Sequence, residues 1–327
     1  MRRPRVRATD GSGEVPVPAY DLFSSTELLG QMAMAKMMAK LSTRRYRAGL
    51  EPVGTAVEAA AKSTSKSAVS RRFVEATETA LAELLAGALS GLDLVALMVD
   101  GVHFADHLVV VAMGIGIDGT KHPLALAEGS TENATLVTDL LVGLRDRGLD
   151  VTRPLLVVID GSKALAAAVR AVFDHPVVAR CQLHKIRNVV SKLPEALGST
   201  VAKKMRAAYR MDSALSAQAT LESLARDLAK SHPGAVGSLR EGLAETLTVM
   251  RLGVPPTLAG TLRTTNPVES MIEICRDHSA NVKRWRDGGM VLRWCAAGTK
   301  PPNSSGRPTA SCTYPLYAKP STPTSPR

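Results

Sequence analysis

The sequence predicts an α/β chain built on a mixed sheet, and three observations carry that prediction. Two apolar, β-rich runs, Leu94 to Val99 and Leu155 to Ile159, each stop at an Asp-Gly pair, Asp100-Gly101 and Asp160-Gly161. A third run, Leu108 to Ile117, is followed by Asp118-Gly119, a strong hairpin signal, so His122 to Leu126 is expected to return as its antiparallel partner. Around these runs the apolar spacing switches to three and four residues, which is helical.

In chain order, the first strand and the hairpin are followed by a helix from about Asn133 to Arg147, with Leu136, Leu140, Leu141 and Leu144 on its apolar face. Leu155 to Ile159 is apolar throughout, as a strand covered by helices on both faces must be. Gly161 to Val172 is helical again, Val177 to Ala179 is a short strand, and Gln182 onward returns to helix. Three antiparallel strands, a helix, a strand, a helix, a short strand and then helices is the order of a ribonuclease-H-like mixed sheet. From about 194 to 258 the chain is Ala-rich without strand signal, which reads as an α-helical insertion; the loop Thr261 to Asn266 and a helix through Glu269 to Arg276 follow it. We expect this ribonuclease-H-like domain to occupy residues 91–297.

Residues 1–22, rich in Arg, Gly and Pro, read as a basic flexible arm, and residues 298–327, dense in Pro, Ser and Thr, as a disordered tail. Residues 23–90 are helical, with Leu28, Met32, Met38 and Leu41 at mostly helical spacing. Within them, Val53 to Ala61, the polar Lys62 to Ser65 and Lys66 to Leu85 read as helix, turn and helix over about 53–85. Ser65 as N-cap puts Lys66, Ser67, Ser70, Arg71 and Arg72 in the opening turns, where a recognition helix faces the major groove. A helical hairpin with a basic solvated face is the alternative.

Lys and Arg number 41 against 30 Asp and Glu, a net charge of +11, which favours an anionic polymer such as DNA as partner. No run is long enough to span a membrane, and the basic N-terminus lacks the apolar segment of a secretory signal. The four cysteines, Cys181, Cys275, Cys295 and Cys312, form no C-x-x-C pair and read as reduced thiols of a cytosolic protein.

In a ribonuclease-H-like sheet the strands ending at Asp100 and Asp160 are neighbours, so both carboxylates project at one edge. Two such charges repel unless a cation neutralises them. Glu269, on a later helix beside the sheet, completes the cluster. Hard oxygen donors suit Mg²⁺, with Mn²⁺ as substitute, and a pair of ions can drive in-line attack at phosphorus, Asp100 bridging both while Asp160 and Glu269 each hold one. Taken singly, an Asp before Gly is usually a turn residue and a helical Glu a solvated charge, so the reading rests on the joint placement.

The motifs MVDGVHF, GIDGTKHPL, GSTENA, VIDGSKAL and RCQLHKIRN, followed by RTTNPVESM and MVLRWCAAG, give the chain, over roughly residues 20 to 297, a resemblance to the mutator-type bacterial insertion-sequence transposases. The resemblance implies a DDE transposase with a helical insertion between its second Asp and its Glu, whose catalytic triad falls on Asp100, Asp160 and Glu269. It implies two divalent ions, binding to double-stranded DNA at terminal inverted repeats and target, and a homo-oligomer on paired ends in a bacterial, nucleoid-associated setting. The family's Cys-x-x-His signature falls on Cys181 and His184. Zinc lacks a second ligand pair here, so His184 is expected near the metal cluster, where it contacts the scissile phosphate, and Cys181 as a small buried hydrophobe.

Lys185 and Arg187 on the same helix, Arg263, Thr265 and Asn266 before Glu269, and Lys283, Arg284 and Arg286 in the last folded stretch are candidate DNA contacts, with solvated faces as the alternative. Trp285 is available for stacking on a base or sugar, whereas Trp294 reads as core. Compared with the family, the chain reads as shortened at its N-terminus, with a terminus resembling a frameshift. That opens a second function, a catalytically impaired copy that represses transposition by occupying the repeats.

Overall fold

The computed structural model describes residues 6–11, 13–15, 26–50, 64–129 and 133–299. They fall into two units, one formed by the chain up to Leu84 together with the segment from Glu273, the other by Leu85–Ile272. The first part of the helix-turn-helix reading, Val53 to Ala61, and the tail beyond residue 299 lie outside the described residues.

In the first unit, β1 (Val6–Arg7) and β2 (Glu14–Val15) pair antiparallel within the stretch expected to be a flexible arm. Helix α1 (Thr26–Met38) and helix α2 (Lys66–Ala86) follow, with a 3₁₀ turn at Tyr46–Gly49 between them. Ala33 and Met37 are the buried face of α1, while Met32 is exposed, so the apolar stripe lies about a residue away from the spacing expected. Ser65 opens α2 as expected, accepting a hydrogen bond from the Ala68 backbone N–H.

The second unit is built on a five-stranded mixed sheet. Its strands are β3 (Leu94–Phe104), β4 (His107–Gly116), β5 (Lys121–Gly129), β6 (Leu155–Ile159) and β7 (Pro176–Arg180), in the spatial order β5-β4-β3-β6-β7. The β3-β4-β5 meander is antiparallel, and β6 and β7 join it in parallel, β6 along β3. Between β4 and β5 the chain turns over Ile117 to Gly119, a three-residue loop closed by the Gly116 N–H to the Thr120 carbonyl. Gly119 takes a φ of +81° there, and the Asp118 carboxylate accepts from the Thr120 N–H and hydroxyl.

Helix α3 (Ala134–Asp146), N-capped by Asn133, and helix α4 (Lys163–Val172), N-capped by Ser162, are the crossovers. Leu140, Leu141 and Leu144 of α3 and Leu165, Val169 and Val172 of α4 pack with Leu97, Val157 and Ile159 into the sheet's core. After β7 comes helix α5 (Gln182–Val190), and then α6 (Glu195–Ala208), α7 (Ala214–Leu228), α8 (Pro233–Arg240) and two short turns, α9 (Leu243–Thr246) and α10 (Thr248–Arg251). These helices hold a second core, in which Val201, Met205, Leu221, Leu224 and Leu239 meet Ile186 and Val189 of α5. Helix α11 (Pro256–Leu262) leads through Arg263 to Thr265 into α12 (Asn266–His278).

The last described helix, α13 (Gly288–Thr299), returns to the first unit. Trp294 packs there on Phe73, ring centroids 4.8 Å apart, and meets Trp285 edge-on at 6.2 Å. It is 2% exposed, a core residue as expected. No helix among the described residues is long and apolar enough to cross a membrane.

Candidate metal centre

The β3-β6 register sets the site. Val99 pairs with Ile159, the last residue of β6, so Asp100 in β3 and Asp160 just beyond the end of β6 each follow a paired position at the same end of the two strands. The next strand contributes too: Ile159 pairs with Arg180, and the Cys181 N–H donates to the Ile159 carbonyl at 2.7 Å. Helix α5 therefore starts at the same edge, bringing His184 in its first turn. Such a crevice beyond the carboxyl ends of parallel strands is a common place for ligands.

Contrary to the expectation that the first strand stops at Asp100, β3 continues to Phe104, because β4 pairs with it all the way to the tight Ala105-Asp106 turn. Asp100 is thus mid-strand, with Val111 opposite on β4 but without β6 on its other flank. It is 1% exposed, and neither carboxylate oxygen has a hydrogen-bond partner. Burial pushes its pKa up to about 6, opposed by the nearby Thr265 hydroxyl and His184; Asp160 and Glu269 raise it further. The Thr265 hydroxyl is close enough to favour the anion without making a well-formed hydrogen bond to it.

Asp160 is half-buried, and one of its oxygens accepts from the Ser162 N–H at 2.6 Å, across a turn that Gly161 makes at φ +110°. The turn role of an Asp-Gly pair is therefore real here and coexists with its place beside Asp100. Glu269 sits in the first turn of α12, where its Oε1 lies 3.0 Å from Arg187 Nη1 and 3.6 Å from His184 Nε2. Ligand atoms of Asp100, His184 and Glu269 all lie within 4.8 Å of one another.

Cys181 is buried, as expected, and its sulfur accepts from the Thr265 N–H at 3.4 Å. Burial raises its pKa, but hydrogen bonds from His184 and the Thr265 backbone outweigh this and lower it overall. The reciprocal contact with Cys181 lifts His184 to about 9 against its own burial, with the charges of Cys181, Asp100 and Asp160 adding to the rise. The His184 Nδ1 is 3.4 Å from the Thr265 hydroxyl.

Several expected DNA contacts have other employment. Lys185 is buried, with its ammonium donating to the carbonyls of Ser238 and Glu241, because it falls on the inner face of α5 with Gln182, Ile186 and Val189. Thr265 is fully buried, its hydroxyl 3.4 Å from His184 Nδ1. Arg263 is half-buried and donates to the Tyr209 carbonyl at 3.1 Å. Arg187 and Asn266 are exposed, as are Lys66, Ser67, Ser70 and Arg71 on α2 and Lys283, Arg284 and Arg286 before α13, while Arg72 is half-buried. What the sequence did not disclose is the Arg187–Glu269 pair and the wedge of Thr265 between Cys181, His184 and Asp100. The shared buried spacing of Lys185 with Ile186 and Val189 was the one signal that would have moved it indoors.

Residues 26–296 match the family described as Transposase, Mutator family. The chain belongs to that family. It is 31% identical to the transposase for insertion sequence element IS6120 of Mycolicibacterium smegmatis over 58% of this chain and 59% of that protein. To the transposase for element ISRM5 of Rhizobium meliloti it is 27% identical over 87% of this chain and 71% of that protein. The transposase for element IST2 of Acidithiobacillus ferrooxidans is likewise 27% identical, over 54% and 58%. The chain spans less than two thirds of the length of the M. smegmatis and A. ferrooxidans relatives. An acidic and histidine cluster that fits a divalent ion thus stands in a member of this family.

Proposed function

We propose that the protein is a DDE transposase that cuts a DNA strand at the end of an insertion sequence and joins the 3′ end to target DNA. Asp100, Asp160 and Glu269 are its divalent-ion ligands, carried on a ribonuclease-H-like sheet. The observation that supports this most is Asp100: a carboxylate buried with both oxygens unpartnered, one strand away from a second carboxylate. A buried anion of that kind calls for a proton or a cation. A pair of Mg²⁺ or Mn²⁺ ions, when bound, supplies activation of a water or 3′ hydroxyl and stabilisation of the leaving oxygen.

The chain's own residues divide the remaining work. Asp100 anchors the centre from the sheet; Asp160, tied by one oxygen to its turn, is held in a fixed orientation beside it. Glu269 closes the cluster from α12. Arg187 is exposed and reaches over Glu269, so a backbone phosphate that engages its guanidinium also frees the carboxylate. The net charge of +11 and the exposed Lys66, Ser67, Ser70 and Arg71 support α2 as the reading helix of a helix-turn-helix on the terminal inverted repeats. Lys283, Arg284, Arg286 and Asn266 are further phosphate contacts. Paired ends call for a homo-oligomer, in the cytoplasm on the nucleoid.

The test is nicking or joining of a repeat-end duplex by purified protein with Mg²⁺ or Mn²⁺. Wild type is expected to cut, and Asp160→Asn to bind the duplex without cutting. Equal inertness of both, with binding retained, replaces the enzyme by a DNA-binding repressor of transposition.

A further inference from the structure

The three donors that stand closest together around the buried carboxylate are Asp100, His184 and Glu269, with a histidine where a purely acidic triad has Asp160. We infer that His184 is a direct ligand of the ion held by Asp100 and Glu269, so that one ion of the centre has an imidazole nitrogen and is taken from the Mn²⁺ class of transition ions in preference to Mg²⁺. This rests on the metal-centre reading above and adds a ligand and an ion preference to it.

The geometry supports it from three sides. Two ligands on one ion of this size stand at most about 4.2 Å apart. Mutual distances within 4.8 Å leave roughly half an ångström of side-chain adjustment. The imidazole is already oriented: Nδ1 lies against the Thr265 hydroxyl at 3.4 Å, an outer partner that fixes the ring, while Nε2 faces Glu269 at 3.6 Å and Arg187 Nη1 at 3.4 Å, so the ion takes this nitrogen as the exposed Arg187 side chain swings aside.

The helix start that carries His184 is also fixed, by Cys181 N–H to Ile159 and Gln182 N–H to Arg263, and by the anchored Lys185. Asp100 supplies the independent sign of an ion site, being 1% exposed with two oxygens that no hydrogen bond satisfies. An imidazole is a softer donor than a carboxylate and favours first-row transition ions, with Mn²⁺ the weakest of them, over Mg²⁺, which prefers an all-oxygen shell.

A structural role for His184, as the cationic partner of Glu269, makes the opposite prediction. Removing a positive charge beside the centre would then leave ion affinity unchanged or raise it. Mn²⁺ and Mg²⁺ binding to the full chain is therefore measured by calorimetry for wild type, His184→Gln and Asp100→Asn. Pulsed electron paramagnetic resonance of the Mn²⁺ form with ¹⁵N-histidine labelling accompanies it.

Expected are nitrogen coupling in wild type, a loss of Mn²⁺ affinity of about tenfold or more in His184→Gln, and a smaller change for Mg²⁺. Should His184→Gln not fold, the nitrogen coupling in wild type decides alone. Wild type without nitrogen coupling, and with Mn²⁺ affinity kept or raised in His184→Gln, overturns the inference and leaves an all-oxygen centre. Absence of any divalent-ion binding by wild type brings down the inference and the metal-centre reading together.

Discussion

Two clusters of charged side chains sit close together in the second unit, around the ends of β6 and β7, and they are built on opposite principles. Around Arg180, opposite charges meet: its guanidinium bonds Glu245 and faces Glu241, Arg170 reaches the other Glu245 oxygen at 2.9 Å, and Lys185 caps carbonyls of the insertion. Gly242, at φ +59°, leaves no room for a Cβ against the Arg180 guanidinium, so backbone and charge are fitted together. Around Asp100 three carboxylates converge, and although His184 and Arg187 reach Glu269, the most buried carboxylate has no hydrogen-bond partner. The first arrangement pairs its charges and ties the helices after β7 to the sheet; the second leaves a buried carboxylate without a hydrogen bond.

That contrast is most sharply broken or upheld by Asp100→Asn. Removing the negative charge should abolish strand cleavage by at least about a thousandfold if the ion site is lost. Because a buried, unpartnered anion also disappears, the metal-free protein should melt no lower than wild type. A variant that melts well below wild type makes Asp100 part of a satisfied structural network.

A pH titration of metal-free stability follows in size. Asp100 has its pKa raised to about 6 in the folded chain, against 3.8 for the ordinary group, so the folded state binds the proton more tightly. Its contribution is present below pH 4 and is lost as pH rises from about 4 to 6, on the order of 3 kcal/mol. Measured as the difference between wild type and Asp100→Asn in denaturant melts, stability should fall across that window. His184, raised to about 9, stays charged throughout it and does not interfere.

In the satisfied cluster, Glu245→Gln should lower stability by about 2 kcal/mol, because Arg180 is left half-paired with its side chain only 11% exposed. Cleavage per folded molecule should be unchanged, as chemical denaturation and a repeat-end assay on the same preparation would report. The smallest effect belongs to Arg187→Gln. Its side chain is 58% exposed, so stability should change by less than about 1 kcal/mol while ion affinity rises, Glu269 being released.

The sequence made the sheet legible because β4 and β6 are apolar along their length and are followed by Asp-Gly turns, and β3 is apolar up to Asp100; order, hairpin and crossover helices follow from that. Asp100 and Asp160 were legible as neighbours for the same reason. The continuation of β3 was not, since VDGVHF breaks the apolar run and only pairing with β4 extends it. Lys185 reads as a phosphate ligand by its charge, whereas its burial follows from its place on the inner stripe of α5 and from the carbonyls of Ser238 and Glu241, 53 and 56 residues on. The Thr265 wedge depends on how α12 enters the sheet's edge, which no local pattern encodes.

The most direct measurement of the central claim is the thermal melt of wild type and Asp100→Asn with and without Mn²⁺. An ion that binds the folded state at this carboxylate should raise the wild-type midpoint in a concentration-dependent way and leave the variant unmoved. Equal shifts in both proteins, or none in either, would contradict it.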